Sequence, residues 1–311
     1  MPLVAVGSIA FDSVETPFGS RERMLGGSAT HFALAASFFT GVRVVGVVGD
    51  DFGERELAVL SGRGIATGDV ERIAGARTFF WRGRYGYDLN AAETLETQLN
   101  AFADFRPQLS PAARAARVLF LGNIQPDLQR EVREQCAGAA FTALDSMNLW
   151  IETARDSLVE AIRGVDCVIL NDAEARMLAG EPNLARAART IRGFGPRIVV
   201  AKQGEYGASL FTERGFFSLP GYPLETALDP TGAGDSFAGG FLGYLAAHAG
   251  TPFTEELFRR AMAYGSVLAS FNVEDFGTDR VRRLTPDEID ERFAELKHMT
   301  HFDAIPFTRR V

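Results

Sequence analysis

Lysine is nearly absent from this chain of 311 residues. Only Lys202 and Lys297 occur, so all but two of the 32 basic residues are arginine. A P-loop needs the string G-x-x-x-x-G-K-[ST], and neither lysine lies in one. Any phosphate chemistry must therefore rest on other groups. Cysteine is equally scarce. Cys136 and Cys167 cannot build a disulfide framework, and their apolar surroundings predict buried thiols. Long hydrophobic runs are missing too, none approaching the ~18 residues of a membrane span. The first residues lack the basic stretch of a signal peptide. The charge is short on the positive side: 40 acidic residues give a net charge of -8, which argues against a nucleic-acid partner. A cytoplasmic enzyme without membrane contacts is the expectation.

What is present is a rhythm. Short Val/Ile/Leu-rich runs at 3–9, 42–48, 118–121, 141–145, 167–170 and 198–201 lack polar alternation, as strands buried on both faces of a parallel sheet do. Helical patterns fall between them, at 29–39, 54–63, 127–136, 151–163 and 184–194. Strand and helix in alternation predict an α/β fold, a doubly wound, mostly parallel sheet flanked by helices. Two stretches break the rhythm, 14–25 with Pro17 and Gly19, and the aromatic run 77–87. They predict a small β-sheet lid of residues 14–25 and 75–89. The main domain is then 1–13, 26–74 and 90–311. In such sheets ligands bind beyond the carboxyl ends of the strands, where Asp, Asn, Glu and Gly are frequent here.

The strongest motif is Asp229-Pro230-Thr231-Gly232-Ala233-Gly234-Asp235, which opens a predicted helix over 236–249. Glycines at a helix start leave backbone N–H groups uncovered, and those groups bind phosphate without lysine. Asp235 puts a negative charge beside that anion site, a placement suited to a general base. A Rossmann fingerprint does not fit, because Phe237 stands where G-x-G-x-x-G needs its third glycine.

This string, with Ser236 to Phe241 after it, resembles the C-terminal signature of the ribokinase-like (pfkB) carbohydrate kinase family. Other segments resemble the family in order along nearly the whole chain. Val6-Gly7-Ser8 with Asp12 resembles its first strand and substrate-binding Asp. Gly26-Gly27 resembles the di-glycine at the lid hinge, and Gly49-Asp50-Asp51-Phe52-Gly53 a shortened G-D-D-x-x-G loop. Asn171-Asp172-Ala173-Glu174 resembles the N-x-x-E motif. Lys202 to Gly207 resembles the nucleotide-side strand and turn, and 261–277 the wall of the adenine pocket.

The resemblance implies transfer of the γ-phosphoryl group of ATP to a hydroxyl. Asp235 would be the base, and the amides of Gly232, Ala233, Gly234 and Asp235 the anion hole. It implies Asn171 and Glu174 as residues that orient Mg²⁺, through water. It implies Lys202, Gly204, Gly207, Asp229 and Gly277 on the cofactor side, with a K⁺ site as a further possibility. Asp12, Gly26 and Gly27 would meet the substrate. A lid with Phe79, Phe80 and Trp81 would exclude water and could pair with a second lid to form a homodimer. Two departures stand out. His31 occupies the place where many sugar kinases carry a substrate-binding Asn, and Asp145-Ser146-Met147-Asn148 lacks the Arg that commonly follows. His31, Asn123 and Asn148 are the candidates for acceptor hydroxyls. A sugar is the first expectation for the acceptor and a nucleoside the alternative. A non-catalytic nucleotide-binding protein is the third reading, against which Asp235 argues.

Overall fold

The computed structural model describes residues 2–303. Its strands are β1 (Leu3–Val6), β2 (Ala10–Thr16), β3 (Gly19–Gly26), β4 (Val42–Gly49), β5 (Ala66–Ile73), β6 (Phe79–Tyr85), β7 (Ala92–Gln98), β8 (Val118–Leu121), β9 (Phe141–Asp145), β10 (Cys167–Asn171), β11 (Ile198–Lys202), β12 (Ala208–Thr212) and β13 (Gly215–Leu219). Its helices are α1 (Ser28–Ala36), α2 (Glu54–Ser61), α3 (Pro111–Arg114), α4 (Pro126–Gln135), α5 (Asn148–Thr153), α6 (Arg155–Arg163), α7 (Asp172–Ala179), α8 (Leu184–Arg192), α9 (Ala233–Ala247), α10 (Glu255–Asn272), α11 (Asp279–Arg283) and α12 (Pro286–Thr300). None of these helices is long and apolar enough to cross a membrane.

Nine strands form the main sheet in the order β13-β12-β11-β10-β9-β8-β1-β4-β5. Pairing is parallel from β11 to β5, and β12 and β13 add an antiparallel edge. Because side chains alternate across a strand, β1 feeds two cores. Leu3 and Ala5 join one with α1, α9 and α10, while Val4 and Val6 join another with α4, α6 and α8. Both faces are therefore covered, and the doubly wound fold read from the apolar runs is present. Cys136 and Cys167 are buried and free.

The second sheet has four strands in the order β3-β2-β6-β7. It takes in Ala10 to Ser13 and Ala92–Gln98, which the sequence reading left to the main domain. β7 is AETLETQ and largely exposed, so it carries no apolar pattern to betray it. Asp51 roots this sheet: one carboxylate oxygen accepts from the Thr78 N–H and hydroxyl, the other from Arg23. The tail beyond Leu296, without a pattern in the sequence, begins as the last turn of α12. Residues 304–311 lie outside the described residues.

Candidate active site

Three neighbouring parallel strands end at one place. Asp145 closes β9, Asn171 closes β10 and Lys202 closes β11, with Asn171 in register with Lys202. Lys202 Nζ lies 3.3 Å from Asp145 Oδ2, and both side chains are largely buried. Glu174 follows on the first turn of α7. It forms a reciprocal cap with Asn171: Glu174 N–H donates to Asn171 Oδ1 at 2.7 Å, and Asn171 N–H to Glu174 Oε2 at 2.8 Å. The Asn171 side-chain oxygen is thus spent on the helix end, while its Nδ2 and one oxygen of Glu174 remain for other work.

Across from these strand ends, α9 begins. Gly232 has φ +75°, and a Cβ there would fall 2.3 Å from the His31 ring. Only glycine satisfies both conditions. The Ala233 N–H turns back onto the Pro230 carbonyl at 3.1 Å, which removes Ala233 from the expected anion hole. Among the described residues the N–H groups of Gly232, Gly234 and Asp235 have no protein partner. Lys202 comes close from below, its Nζ 2.8 Å from where a Gly234 Cβ would sit. A positive helix end, three free donors and an ammonium therefore converge.

Burial pushes the Asp235 carboxyl up to about 7, Asp145 adding to the rise and Lys202 opposing it. Burial also raises Glu174 to about 7, against the pull of Lys202. For Lys202 burial opposes the charge, but Asp145, Glu174 and Asp235 hold its pKa above the ordinary value. Three carboxylates thus share one ammonium, an excess of negative charge that suits a hard cation. Among the described residues no three metal-ligating side chains converge as a binding cluster. Glu174, with one carboxylate oxygen uncommitted, is a donor of the kind that fits the water shell of Mg²⁺.

Asp12 lies on β2, opposite this centre. Its carboxylate fills the space a Gly26 side chain would need, Oδ2 being 1.9 Å from that Cβ position, and it accepts a backbone hydrogen bond from Gly27. Burial raises Asp12 to about 7, with Asp229 and Asp235 contributing. The second sheet reaches over the cleft. Thr231 donates its hydroxyl to the Tyr85 phenol oxygen at 3.2 Å, and Asn90 Oδ1 lies against Gly204.

The remaining candidates divide. Asp229 is fully buried and ties two loops together, accepting from Thr231 N–H and Gly277 N–H, each at 2.9 Å. Gly207 crosses close under Leu219 and Pro220, so its place in the turn is set by packing. His31 is buried and its pKa is lowered by burial to about 4, so the ring is neutral. Its Nδ1 lies 3.0 Å from Asn272 Oδ1. That oxygen also accepts from Ser236, while Asn272 Nδ2 donates to the Thr231 carbonyl. The amide orientation fixes the proton on Nδ1, leaving Nε2 without a partner among the described residues. Asn123 is spent elsewhere, accepting from Trp150 Nε1 at 2.9 Å and donating to Met147. Asn148 is exposed at the start of α5. Asn123 is therefore not free to meet an acceptor hydroxyl as expected, whereas the Asn148 side chain has no partner among the described residues. Phe79 stacks on Phe102 and Phe80 packs on the main core, so these two are taken up within the chain.

Tyr85 and Asn272 are not among the expected site residues, and Asp145 and Thr231 lie within the quoted motifs without an assigned role. Asp145 carried a signal, a carboxylate ending an apolar run. Asn272 carried none, since 241 residues separate it from His31.

The geometry is that of an anion-binding cleft at the carboxyl ends of a doubly wound sheet. The family model of the pfkB family carbohydrate kinases matches residues 3–283, and the chain belongs to that family. It is a phosphotransferase acting on hydroxyl groups. A cytidine kinase from Thermococcus kodakarensis is 31% identical over 249 residues, 78% of this chain and 87% of that protein. A 2-dehydro-3-deoxygluconokinase from Thermoproteus tenax is 26% identical over 71% of this chain and 73% of its own length. The nucleoside kinase of Burkholderia thailandensis, solved with ADP-inosine, superposes with a TM-score of 0.79 at 20% identity, covering 94% of this chain and 95% of that one.

Proposed function

We propose that this protein is an ATP-dependent kinase that phosphorylates a hydroxyl on the sugar ring of a nucleoside, with a free sugar as the second reading. The observation that carries the kinase reading is the start of α9, where three unpartnered N–H groups stand beside Asp235 and Lys202. The choice of a nucleoside leans on the likeness to the cytidine kinase.

Asp12 receives an acceptor hydroxyl near Gly26 and Gly27. Asp235 takes the proton of the attacking hydroxyl as its oxygen bonds to the γ-phosphorus. The bond from that phosphorus to the ADP oxygen breaks, and ADP leaves with the electron pair. The N–H groups of Gly232, Gly234 and Asp235 hold the charge of the group in transit, and Lys202 adds a positive charge on the same side. Glu174 would hold the water shell of Mg²⁺, which would supply neutralisation of phosphate charge. The second sheet closes over the cleft through Tyr85 and Asn90, excluding water that would otherwise take the phosphoryl group.

ADP release with ATP and Mg²⁺ over a panel of nucleosides and sugars tests this reading. Stimulation by at least one acceptor is expected. No stimulation by any acceptor would favour a non-catalytic binding protein.

A further inference from the structure

Strand β6 runs beside β2 in parallel register, so Asp12 is level with Trp81 and Val14 with Gly83. Side chains alternate along a strand, so Trp81, Gly83 and Tyr85 share the face that carries Asp12. The opposite face is different. There Arg82 lies over Phe80, Arg84 pairs with Glu15, and Arg23 covers Phe11.

Gly83 gives the site-side face its shape. A Cβ at that position would fall 2.1 Å from Trp81 Cη2 and 2.3 Å from Cζ2. The indole therefore lies along the strand on the bare backbone of Gly83, which no other residue would allow. Its Nε1–H donates to Thr94 Oγ1 at 3.2 Å, which fixes the ring plane. Trp81 is half-buried. Among the described residues no second aromatic ring and no arginine lies against it, whereas Phe11, Phe38 and Phe271 each carry an arginine.

Tyr85 is two strand positions beyond Gly83, about 7 Å further along. Its oxygen accepts from Thr231, so its own proton is uncommitted. Burial and the charges of Asp229, Asp12 and Asp235 keep the phenol protonated. A flat apolar surface and a free hydroxyl donor thus stand side by side, facing the carboxylates of the cleft.

We propose that β6 is the strand that recognises the acceptor, with the Trp81 indole stacking on a planar heterocyclic base and the Tyr85 hydroxyl donating to an oxygen of the attached sugar. The acceptor class is then a nucleoside. This rests on the kinase reading above and goes beyond it by assigning the base-binding surface. Tyr85 also joins acceptor recognition to the anion hole, since the same oxygen is held by Thr231.

The test uses two measurements. The chain has two tryptophans, so Trp150→Phe leaves Trp81 as the single fluorophore. In that variant a nucleoside that stimulates ADP release should quench the emission, and ribose at the same concentration should not. In the full enzyme Trp81→Ala should lower kcat/KM for the nucleoside about ten- to hundredfold, the range for removing one base–aromatic stack. KM for ATP should stay within twofold, and Trp81→Phe should restore most of the loss. Tyr85→Phe should raise the nucleoside KM about tenfold. Phosphorylation of a nucleoside without any change in Trp81 emission would overturn the platform. Phosphorylation of free sugars but of no nucleoside would also overturn it while leaving the kinase reading intact. If no acceptor stimulates ADP release, it is the kinase reading that fails.

Discussion

The two sheets of this protein solve opposite problems. The main sheet is apolar on both faces, and its strands alternate between two cores, Leu3 and Ala5 on one side, Val4 and Val6 on the other. Its chemistry appears only where strands end, at Asp145, Asn171 and Lys202. The second sheet has little core. One face is laced with exposed ion pairs such as Arg84–Glu15, and the other carries Asp12, Trp81 and Tyr85 along the strands. A sheet buried on both faces holds groups rigidly at its ends. The second sheet is buried along β2 and largely exposed along β3 and β7, so its outer strands are held by fewer apolar contacts. Stability should therefore reside in the first sheet and acceptor choice in the second.

The largest expected effect on folding lies in the main core. Phe120 stacks on Phe32 with ring centroids 4.1 Å apart, both fully buried. Phe120→Ala should cost about 3–5 kcal/mol in urea unfolding. His31→Ala should cost less, about 1–3 kcal/mol, because Asn272 loses one of its two donors and the turn at Gly232 loses its floor. Activity as a function of pH sharpens the comparison at the strand ends. Asp235 must be ionised to accept a proton, and its pKa lies at about 7. The value of kcat/KM should therefore fall below pH 7, at least tenfold per unit, since Glu174 and Asp12 take up protons in the same range. His31, neutral down to about 4, should add no step between pH 5 and 9. The smallest effect belongs to the outer face of the second sheet. Arg84→Ala removes an exposed pair and should change unfolding by less than about 1 kcal/mol. A loss of several kcal/mol there would break the division between the sheets.

Legibility in the sequence followed the same division. The strands of the main sheet were readable because burial on both faces demands unbroken apolar runs, as in VLFL of β8 and CVIL of β10. Their ends were off by a few residues: of the run 3–9 only Leu3–Val6 is strand, and residues 7–9 connect β1 to β2 as the chain leaves the main sheet. β7 was invisible because its residues face solvent and need not be apolar. The helix-start glycines and Asp235 were legible as a string, since anion binding by backbone requires those residue types in immediate succession. That the Ala233 N–H folds onto Pro230 was not, because a backbone turn leaves no mark on side-chain choice. Tyr85 could have been found: the alternation Trp81-Gly83-Tyr85 places it on one face with the tryptophan. The role of Asn123 as a partner of Trp150 could not, since nothing in the sequence marks an amide as internally spent.

The role of Asp235 is the centre of the catalytic proposal, and one substitution tests it. Asp235→Asn keeps the size and most of the hydrogen bonding of the side chain but cannot accept the proton. With an acceptor that stimulates the wild-type protein, the variant should lose about 100- to 10,000-fold in turnover, while ATP binding measured by calorimetry stays within a fewfold. Turnover near that of the wild type would show that another group takes the proton, and would contradict the assignment of Asp235 as the base.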